Sequence, residues 1–596
     1  MREGRANNLL LLNTLRFLKR VIPPALKVRA AITIIAVIVN SLVDLLGLAS
    51  LIPLFMVIID EDKIKNSEVL QWLFHKLNFS SNNTFILFLC SVIVVLMIAK
   101  NLFSLFLSSI QFRFSFSLYR YFALNLYKNY YDRGLLFLKD QNANRLVNNI
   151  NSICLLFSQN VVVAALGVIN ELFIVMFVMT GIMWYDPRTV LLLVVVILPA
   201  FFLFFRFMRT KTGILGKQIN QTAVLQNKTL YESFYGYVDV QIKNKASWLQ
   251  EKYKDLLSKM SGLQIKNQVY LLMPLKVIEI AVIISLVLII AVNIYFGENL
   301  SGLSMLLGVF GIAAYRVLPS INRIMVFLMN IKNHQHTLEV IEQAVTATYG
   351  QKHADDSARM RFVDKIVLQN LHFSFNGTHQ VLNDISLCIN KGEKLGIIGK
   401  SGSGKSTLLN LLLGFYTPQQ GAIYVDNVQL TEQNIYQWRN IIGYVPQEVF
   451  IMDATLAENI AFCEDGKDID FERLNRVIEL ASLKPFVDSL PMGVNTFIGE
   501  RGSRLSGGQK QRIGIARALY NDAEILFLDE ATSSLDTATE LEITSSIKYL
   551  SEKNKSLTII IIAHRITTLK HCDRIVEFEA GRIIGEHSYE ALQMRE

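Results

Sequence analysis

Long apolar stretches alternate with polar ones over the first 340 residues, and short apolar runs replace them further on. A helix needs about 20 apolar residues to cross a bilayer core. The pattern therefore predicts six spans, at residues 31–59, 84–107, 157–184, 189–208, 269–296 and 303–328. Short turns at 185–188 and 297–299 predict tight hairpins between spans three and four and between spans five and six.

The connections between spans two and three and between spans four and five are polar with recurrent apolar positions, which predicts long helices beyond the bilayer. Basic residues collect in the connection between spans four and five, from Arg206 to Lys266. Basic loops stay on the cytoplasmic side. We therefore expect a multi-pass protein of the cytoplasmic (inner) membrane whose long connections and C-terminal part lie in the cytoplasm.

Between spans one and two, residues 67–79 repeat apolar side chains at helical spacing. This pattern predicts a short amphipathic external helix. The helix either caps the bundle or lies at the outer interface in contact with lipid.

From about residue 341, strand and helix patterns alternate as in an α/β domain, so we predict a transmembrane domain at 1–340 and a nucleotide-binding domain at 341–596. The apolar run 394–398 leads directly into G-x-x-x-x-G-K-S at 399–406. Backbone N–H groups of such a loop bind phosphates, its lysine neutralises them and its serine can ligate Mg²⁺. The predicted ATP-binding residues here are Gly399, Ser401, Gly402, Gly404, Lys405, Ser406 and Thr407.

A second apolar run, 524–528, ends in Asp529 and Glu530. Acids at the carboxyl end of a parallel strand lie where α/β sheets bind ligands. We expect Asp529 to hold Mg²⁺ together with Ser406, and Glu530 to polarise the water that attacks ATP.

Composition agrees with a membrane part joined to a soluble part. Hydrophobic residues make up 52% of the 596, charged residues 18%, and mean hydropathy is +0.34. The net charge of +9 is spread between the apolar stretches rather than gathered in one patch, which argues against nucleic acid as a partner. Five cysteines without a CxxC pair support neither a disulfide scaffold nor a zinc site.

The segment 505–509, Leu-Ser-Gly-Gly-Gln, resembles the signature of ATP-binding cassette (ABC) transporters, and it stands in that family's order between the P-loop and Asp529. The resemblance implies further roles. Gln447 matches the magnesium-sensing Q-loop residue, and His564 matches the switch histidine that contacts the γ-phosphate. Ser506, Gly508 and Gln509 of the signature and Asp536 of the D-loop match residues that contact nucleotide, and Phe375 matches the aromatic ring stacked on adenine.

In this family the signature of one cassette binds ATP held on the P-loop of another. One chain has one cassette and six predicted spans, so the resemblance implies a homodimer of exporter type with two competent ATP sites. The tips of the long helices, at 140–145 and 236–243, match the coupling helices that dock on the cassettes.

Four basic residues inside predicted spans are candidates for substrate contact: Lys100, Lys276, Arg316 and Arg323. Charges within spans are costly and mark pathways. Lys100 and Arg316 lie at similar depth, roughly 23 Å from the outer ends at 1.5 Å per residue. Together, the four basic residues predict a band of positive charge, the cationic belt, that would bind an anionic headgroup. The alternative is that Lys100 and Arg323 reach the inner interface and Lys276 pairs with Glu279.

The stretch 314–324 and the external helix resemble the bacterial flippases of lipid-linked oligosaccharides, in which cavity arginines contact a pyrophosphate-oligosaccharide. This resemblance implies a polyprenyl-pyrophosphate oligosaccharide as substrate. The alternatives are a lipid A-like glycolipid, a peptide or a drug, and, outside transport, an ATP-gated regulator.

Overall fold

The computed structural model describes residues 10–50, 72, 74, 76, 77, 79, 82–185, 187–295, 300–346, 358–375, 380–462, 469–499, 505–531 and 537–594. The chain forms two compact units, Met1–Tyr349 and Gly350–Glu596. The predicted boundary at residue 340 falls inside the helix Thr337–Thr346. That helix belongs to the first unit because it buries Ile341 and Ala344 in a core cluster there.

The described part of the first unit, the helical unit, contains only helices. They are α1 (Leu10–Val21), α2 (Pro24–Ala49), α3 (Asn82–Asp132), α4 (Gly134–Asp140), α5 (Ala143–Asn148), α6 (Cys154–Phe157), α7 (Val163–Tyr185), α8 (Pro187–Tyr235), α9 (Tyr237–Ile242), α10 (Ala246–Tyr295), α11 (Leu300–Asn333) and α12 (Thr337–Thr346). Two π-helical segments, Asn149–Ile153 and Ser158–Val162, join α5, α6 and α7 into one continuous helical run.

Helices α3, α8 and α10 have 51, 49 and 50 residues. At 1.5 Å per residue each is roughly 75 Å long, far more than a bilayer core of about 30 Å. Each is therefore long enough for a span and a long extension. The predicted tips fall at the break between α4 and α5 and at the short helix α9.

Four helical segments of the described chain are long and apolar enough to cross a membrane: Pro24–Gly47, Thr84–Asp132, Ala143–Trp184 and Ala246–Leu288. They correspond to predicted spans one, two, three and five. Spans four and six fall in α8 and α11, part of whose side chains lie outside the described residues. Most of the predicted external helix, and the hairpin 297–299, also lie outside them.

The surface of the helical unit is apolar where a soluble protein would be polar. Leu105 and Leu203 are each 69% exposed and Trp184 is 94% exposed. Exposing so many large apolar side chains to water would be unfavourable, whereas contact of these side chains with lipid tails is not.

The second unit, the cassette unit, contains two sheets within its described residues. An antiparallel sheet has the order β2-β1-β4-β5, and a six-stranded sheet has the order β10-β9-β3-β8-β7-β6, in which only β10 runs antiparallel to its neighbour. The strands are β1 (Lys365–Ser374), β2 (Gln380–Asn390), β3 (Lys394–Gly399), β4 (Gln420–Val425), β5 (Val428–Gln429), β6 (Ile442–Val445), β7 (Ile525–Asp529), β8 (Thr558–Ile562), β9 (Arg574–Glu579) and β10 (Arg582–His587).

Helices cover the six-stranded sheet and complete the cassette core. They are α13 (Lys405–Leu412), α14 (Ile435–Arg439), α15 (Leu456–Ala461), α16 (Phe471–Leu480), α17 (Lys484–Ser489), α18 (Gly507–Tyr520), α19 (Thr537–Lys553) and α20 (Tyr589–Gln593). Strand β8 is buried along its whole length, as expected for a central parallel strand covered on both faces. This rigid core places the carboxyl ends of four neighbouring parallel strands, β3, β8, β7 and β6, along one edge.

Candidate functional site

The P-loop occupies the turn between β3 and α13. Gly404 has φ +106, and a side chain there would place its Cβ 2.8 Å from Leu382 Cδ2, so only glycine fits. Lys405 is 4% exposed and donates to the carbonyl oxygens of Gly399 at 2.6 Å and Lys400 at 3.1 Å. Burial lowers the pKa of Lys405, and the nearby carboxylates of Glu530 and Asp529 partly offset that effect.

Within the loop and the first turn of α13, Ser401, Gly402 and Ser406 are exposed, whereas Thr407 is buried. The exposed groups are available to a ligand at the amino end of the helix, where N–H groups and the helix dipole favour anions.

Glu530 follows β7 and adopts φ +49, a left-handed conformation that turns the chain sharply after the strand. Its backbone N–H donates to the Ile562 carbonyl oxygen at 3.0 Å. Its carboxylate accepts a hydrogen bond from Gln447 Nε2 at 3.1 Å, and His564 Nε2 lies 2.6 Å from the other oxygen. Gln447, Glu530 and His564 are 83 and 34 positions apart in the sequence. The structure brings them together because they follow the neighbouring strands β6, β7 and β8.

Two contacts that support the site residues were not predicted from the sequence. Tyr444 donates to Asp529 Oδ2 at 3.4 Å, and burial, followed by the charge of Asp529, raises the pKa of this phenol. Gln511 of α18 is 3% exposed and donates to the backbone oxygen of Gln447 at 2.7 Å. Gln511 lies two positions beyond the signature segment. This nearness is the one sequence signal for its role.

The signature segment forms the amino end of α18. Ser506 is its N-cap: Gln509 N–H donates to Ser506 Oγ at 3.3 Å, and Ser506 N–H donates to Gln509 Oε1 at 2.8 Å. This capping box holds the segment rigid. In the described part of the chain, no hydrogen bond or ion pair joins Ser506 to the P-loop of its own cassette.

Phe375 follows β1 and is 51% exposed. Its ring contacts Phe373 edge-on at 5.3 Å and Tyr416 at 5.9 Å between centroids. These contacts hold the ring in place and leave part of it accessible for stacking. Asp536 lies outside the described residues.

The chemistry of the donor set fits Mg²⁺. A serine hydroxyl, a glutamine and a carboxylate, from Ser406, Gln447 and Asp529, offer the hard oxygen ligands that Mg²⁺ prefers, and Mg²⁺ usually keeps water or phosphate oxygens as well. Among the described residues, no cluster of three or more His, Cys, Asp and Glu provides an all-protein metal cage. Bound there, Mg²⁺ would neutralise phosphate charge.

In the helical unit, an acid that the sequence reasoning did not single out organises two of the predicted substrate residues. Asp44 of α2 lies 2.6 Å from Lys100 Nζ of α3 and 3.2 Å from Arg316 Nη2 of α11. The three side chains are 17–21% exposed. Gly47 makes room for this Asp44 cluster, since a Cβ there would lie 3.2 Å from Lys100 Cδ.

The other two predicted substrate residues lie apart from that cluster. Arg323 makes a two-point contact with Glu171 of α7, at 2.7 and 3.0 Å. Lys276 pairs with Glu279 on its own helix at 3.1 Å and is 73% exposed. The predicted cationic belt is thus divided, and each of its basic residues has an acidic partner.

Residues 382–533 match the sequence profile of the family described as "ABC transporter". The chain carries an ABC transporter domain. The P-loop, Gln447, the signature and Glu530 all lie within this ABC domain, and His564 follows it.

A solved structure shares the architecture of the whole chain. The structure of a bacterial Atm1-family ABC exporter with ATP bound superimposes with a TM-score of 0.78 and covers 96% of this chain and 98% of the exporter, at 20% identity. The chain therefore has the fold of that exporter, with the helical unit preceding the cassette unit in the sequence.

Curated relatives align with part of the chain. An ATP-dependent lipid A-core flippase of Saccharophagus degradans is 41% identical over 38% of this chain and 38% of its own length. The mitochondrial iron–sulfur clusters transporter ATM1 of Candida glabrata is 40% identical over 39% and 32%. The heterocyst differentiation ATP-binding protein HepA of a Nostoc species is 37% identical over 46% and 45%. The chain thus spans less than half the length of each of these relatives.

Proposed function

We propose that this protein is an ATP-driven exporter. The observation that carries the proposal is the arrangement at the sheet edge, where Glu530 lies between Gln447 and His564 and close enough to Lys405 to influence its pKa. In this proposal Glu530 orients the attacking water, His564 positions the Glu530 carboxylate, and Lys405 with Mg²⁺ stabilises charge on the transferring phosphoryl group.

The working form in this proposal is a homodimer. Ser506, Gly508 and Gln509 form a rigid helix start that makes no described polar contact with the P-loop of the same chain. A second copy supplies that helix start to the ATP bound on the first. ATP binding then brings the cassettes together and hydrolysis releases them.

The substrate in this proposal is an anionic, phosphate-bearing lipid that moves from the cytoplasmic to the outer leaflet of the inner membrane. The Asp44 cluster has two cations for one carboxylate and therefore a net positive charge. Arg316 Nη2 makes an ion pair with Asp44 at 3.2 Å, whereas Arg316 Nε is buried without a hydrogen-bond acceptor among the described residues. An unpaired buried donor is costly, so a phosphate oxygen would stabilise it.

Two headgroups are candidates, and a different observation favours each. The name of the lipid A-core flippases among the relatives favours a lipid A-like glycolipid. The stretch 314–324, which contains Arg316 and Arg323, resembles flippases of lipid-linked oligosaccharides and favours a polyprenyl-pyrophosphate oligosaccharide. Relatives of similar identity have other names, so identity alone does not select between the two.

The test is a flipping assay with the full-length protein in proteoliposomes, supplied in parallel with each lipid. We expect one of them to move in an ATP-dependent manner and the double variant Lys100→Gln/Arg316→Gln to slow its movement about tenfold, while basal ATPase activity is retained. Lys254→Gln, which removes a charge that is 76% exposed on α10, is the matched control and should flip normally.

Movement of neither lipid would refute lipid export. If the double variant moves the lipid as fast as the wild type does, the Asp44 cluster is not part of the transport path, and the proposal of ATP-driven export still stands.

A further inference from the structure

A cavity of about 470 Å³ opens in the helical unit between α8, α11 and the start of α12. None of its residues belongs to the Asp44 cluster. Basic, polar and apolar side chains line it, among them Arg209, Lys332 and Leu10. We call it the α8–α11 cavity.

Glycines of α8 shape this cavity. A Cβ at Gly213 would lie 3.0 Å from Lys332 Cε, and a Cβ at Gly216 would lie 1.9 Å from the Asn333 backbone oxygen. Two glycines one turn apart therefore let the end of α11 approach α8 closely, with the Lys332 side chain crossing between the helices. This close approach brings basic residues of two helices to one place.

Basic residues outnumber acidic ones in the lining of the cavity. Arg209, Lys217 and Lys332 line it together with a single acid, Glu339. Burial, followed by the charge of Arg209, lowers the pKa of Lys332. Burial also lowers the pKa of His336, and a hydrogen bond with the Asn333 backbone partly offsets that effect. Such a set of donors suits an anion with several oxygens.

The position of the cavity favours a membrane-derived anion. Arg209 directly follows predicted span four and Lys332 comes four residues after predicted span six, which places both at the level of the cytoplasmic headgroups. The apolar side chains of Leu10, Ile214 and Leu338 share the lining with the basic groups. A phosphate next to an apolar wall is the pattern of a lipid headgroup with the start of its acyl chains.

We propose that the α8–α11 cavity binds the phosphate group of an anionic lipid of the cytoplasmic leaflet, at a site separate from the Asp44 cluster. This inference goes beyond the proposed export activity, because it concerns a resident lipid rather than the transported one. The same donors would accept inorganic phosphate, so the experiment compares the two sources.

The experiment measures binding by native mass spectrometry, with phosphatidylglycerol titrated into the full-length protein in a neutral detergent. Attraction of an anionic lipid by one basic residue is worth about fivefold in affinity. We expect the double variant Arg209→Gln/Lys332→Gln to weaken binding of the first retained lipid by about 30-fold. The matched control is Lys211→Gln/Lys228→Gln, which removes two charges from α8 that do not line the cavity: Lys211 lies over the Phe207 ring and Lys228 pairs with Glu232.

A second arm titrates inorganic phosphate against the thermal unfolding temperature of the protein in phosphatidylcholine nanodiscs. Stabilisation of the wild type by phosphate, lost in the cavity variant and kept in the control, would support the site and assign it to a soluble anion. Equal phosphatidylglycerol binding by wild type, cavity variant and control, with no phosphate effect, would overturn the proposal. Equal unfolding temperatures of all three proteins in phosphatidylcholine show that folding is unchanged, and neither readout depends on transport.

Discussion

The two units organise their functional residues in opposite ways. In the cassette unit, the candidate site is built from short contiguous motifs at the ends of neighbouring parallel strands, such as the P-loop after β3 and Glu530 after β7. In the helical unit, charged residues meet across long stretches of chain, as Asp44 does with Arg316 and Glu171 with Arg323. Motifs can be recognised one by one, whereas pairings between helices depend on how the helices pack.

The surroundings explain the contrast. The cassette site lies at an edge where ligands and water enter, and Glu448, exposed beside Gln447, needs no partner there. Within membrane helices a charge without a counter-charge is expensive, so acids such as Asp44 and Glu171 are matched to basic residues on other helices. Five predictions test this comparison, from the largest expected effect to the smallest.

The largest effect is expected for Glu530→Gln. Loss of the carboxylate that we propose orients the attacking water should lower ATP turnover about 10³-fold and leave ATP binding intact. Steady-state ATPase activity and nucleotide binding measure the two properties separately. Glu552→Gln, an exposed residue paired with Lys548, is the control with normal turnover. Normal turnover in Glu530→Gln would show that the strand-end motif does not do the chemistry assigned to it.

The second-largest effect is expected for Glu540, a residue of the cassette unit that is 5% exposed. It accepts hydrogen bonds from Arg565, Thr567 and Thr568. Glu540→Gln should cost about 3 kcal/mol, because a charged and fully bonded group is lost. Thermal unfolding of the full-length protein measures the loss. A variant as stable as wild type at pH 7 would contradict the prediction.

The stabilising effect of Glu540 should depend on pH. Burial raises its pKa, but the hydrogen bonds from Arg565, Thr568 and Thr567 outweigh burial and hold the pKa below its ordinary value of 4.5. A depressed carboxyl pKa stabilises the fold above the unfolded pKa, and this contribution is lost as pH falls through the folded pKa. The difference in unfolding temperature between wild type and Glu540→Gln should therefore stay constant from pH 7 to about pH 5 and shrink below about pH 4.5. A difference that grows on acidification would refute the sign.

Glu171→Gln is the corresponding change in the helical unit. Glu171 is 5% exposed, but its partner Arg323 is 41% exposed and can still meet solvent. We expect a smaller cost of about 1–2 kcal/mol. The double variant Glu171→Gln/Arg323→Gln should recover part of the lost unfolding temperature, because no unpaired charge remains. A double variant less stable than either single variant would show that the pair acts through packing rather than charge balance.

The smallest stability effect is expected at two helix starts that share one geometry. Thr455 caps α15 and Ser506 caps α18, and in each case the N3 backbone donates to the capping hydroxyl at 3.3 Å. Thr455→Ala and Ser506→Ala should each cost about 1 kcal/mol in unfolding free energy. Only Ser506→Ala should also lower ATPase activity, because only that cap contacts nucleotide in the proposed dimer. Equal ATPase activity in the two variants would reduce Ser506 to a structural cap.

Much of the cassette could be predicted because local sequence determines local geometry there. Gly399–Ser406 forms a phosphate loop since its glycines permit the backbone turn, and the apolar run before Asp529 becomes a buried strand. The convergence of Gln447, Glu530 and His564 followed from the family resemblance, and the structure explains it by the strand order. Tyr444 and Gln511 gave little signal, because a single tyrosine or glutamine acquires its role from its neighbours in space.

In the helical unit, apolar run length was enough to predict the four spans that the described chain contains, since this signal is a local sum over the chain. Asp44, Glu171 and the α8–α11 cavity were not predictable in that way. Their meaning depends on which helix faces which, and that follows from the packing of small residues such as Gly213 and Gly216 against a distant helix. The sequence alone determined the motifs of the candidate ATP site, and only tertiary packing decided which charges in the membrane helices meet, because Coulomb energy depends on distance in space rather than along the chain.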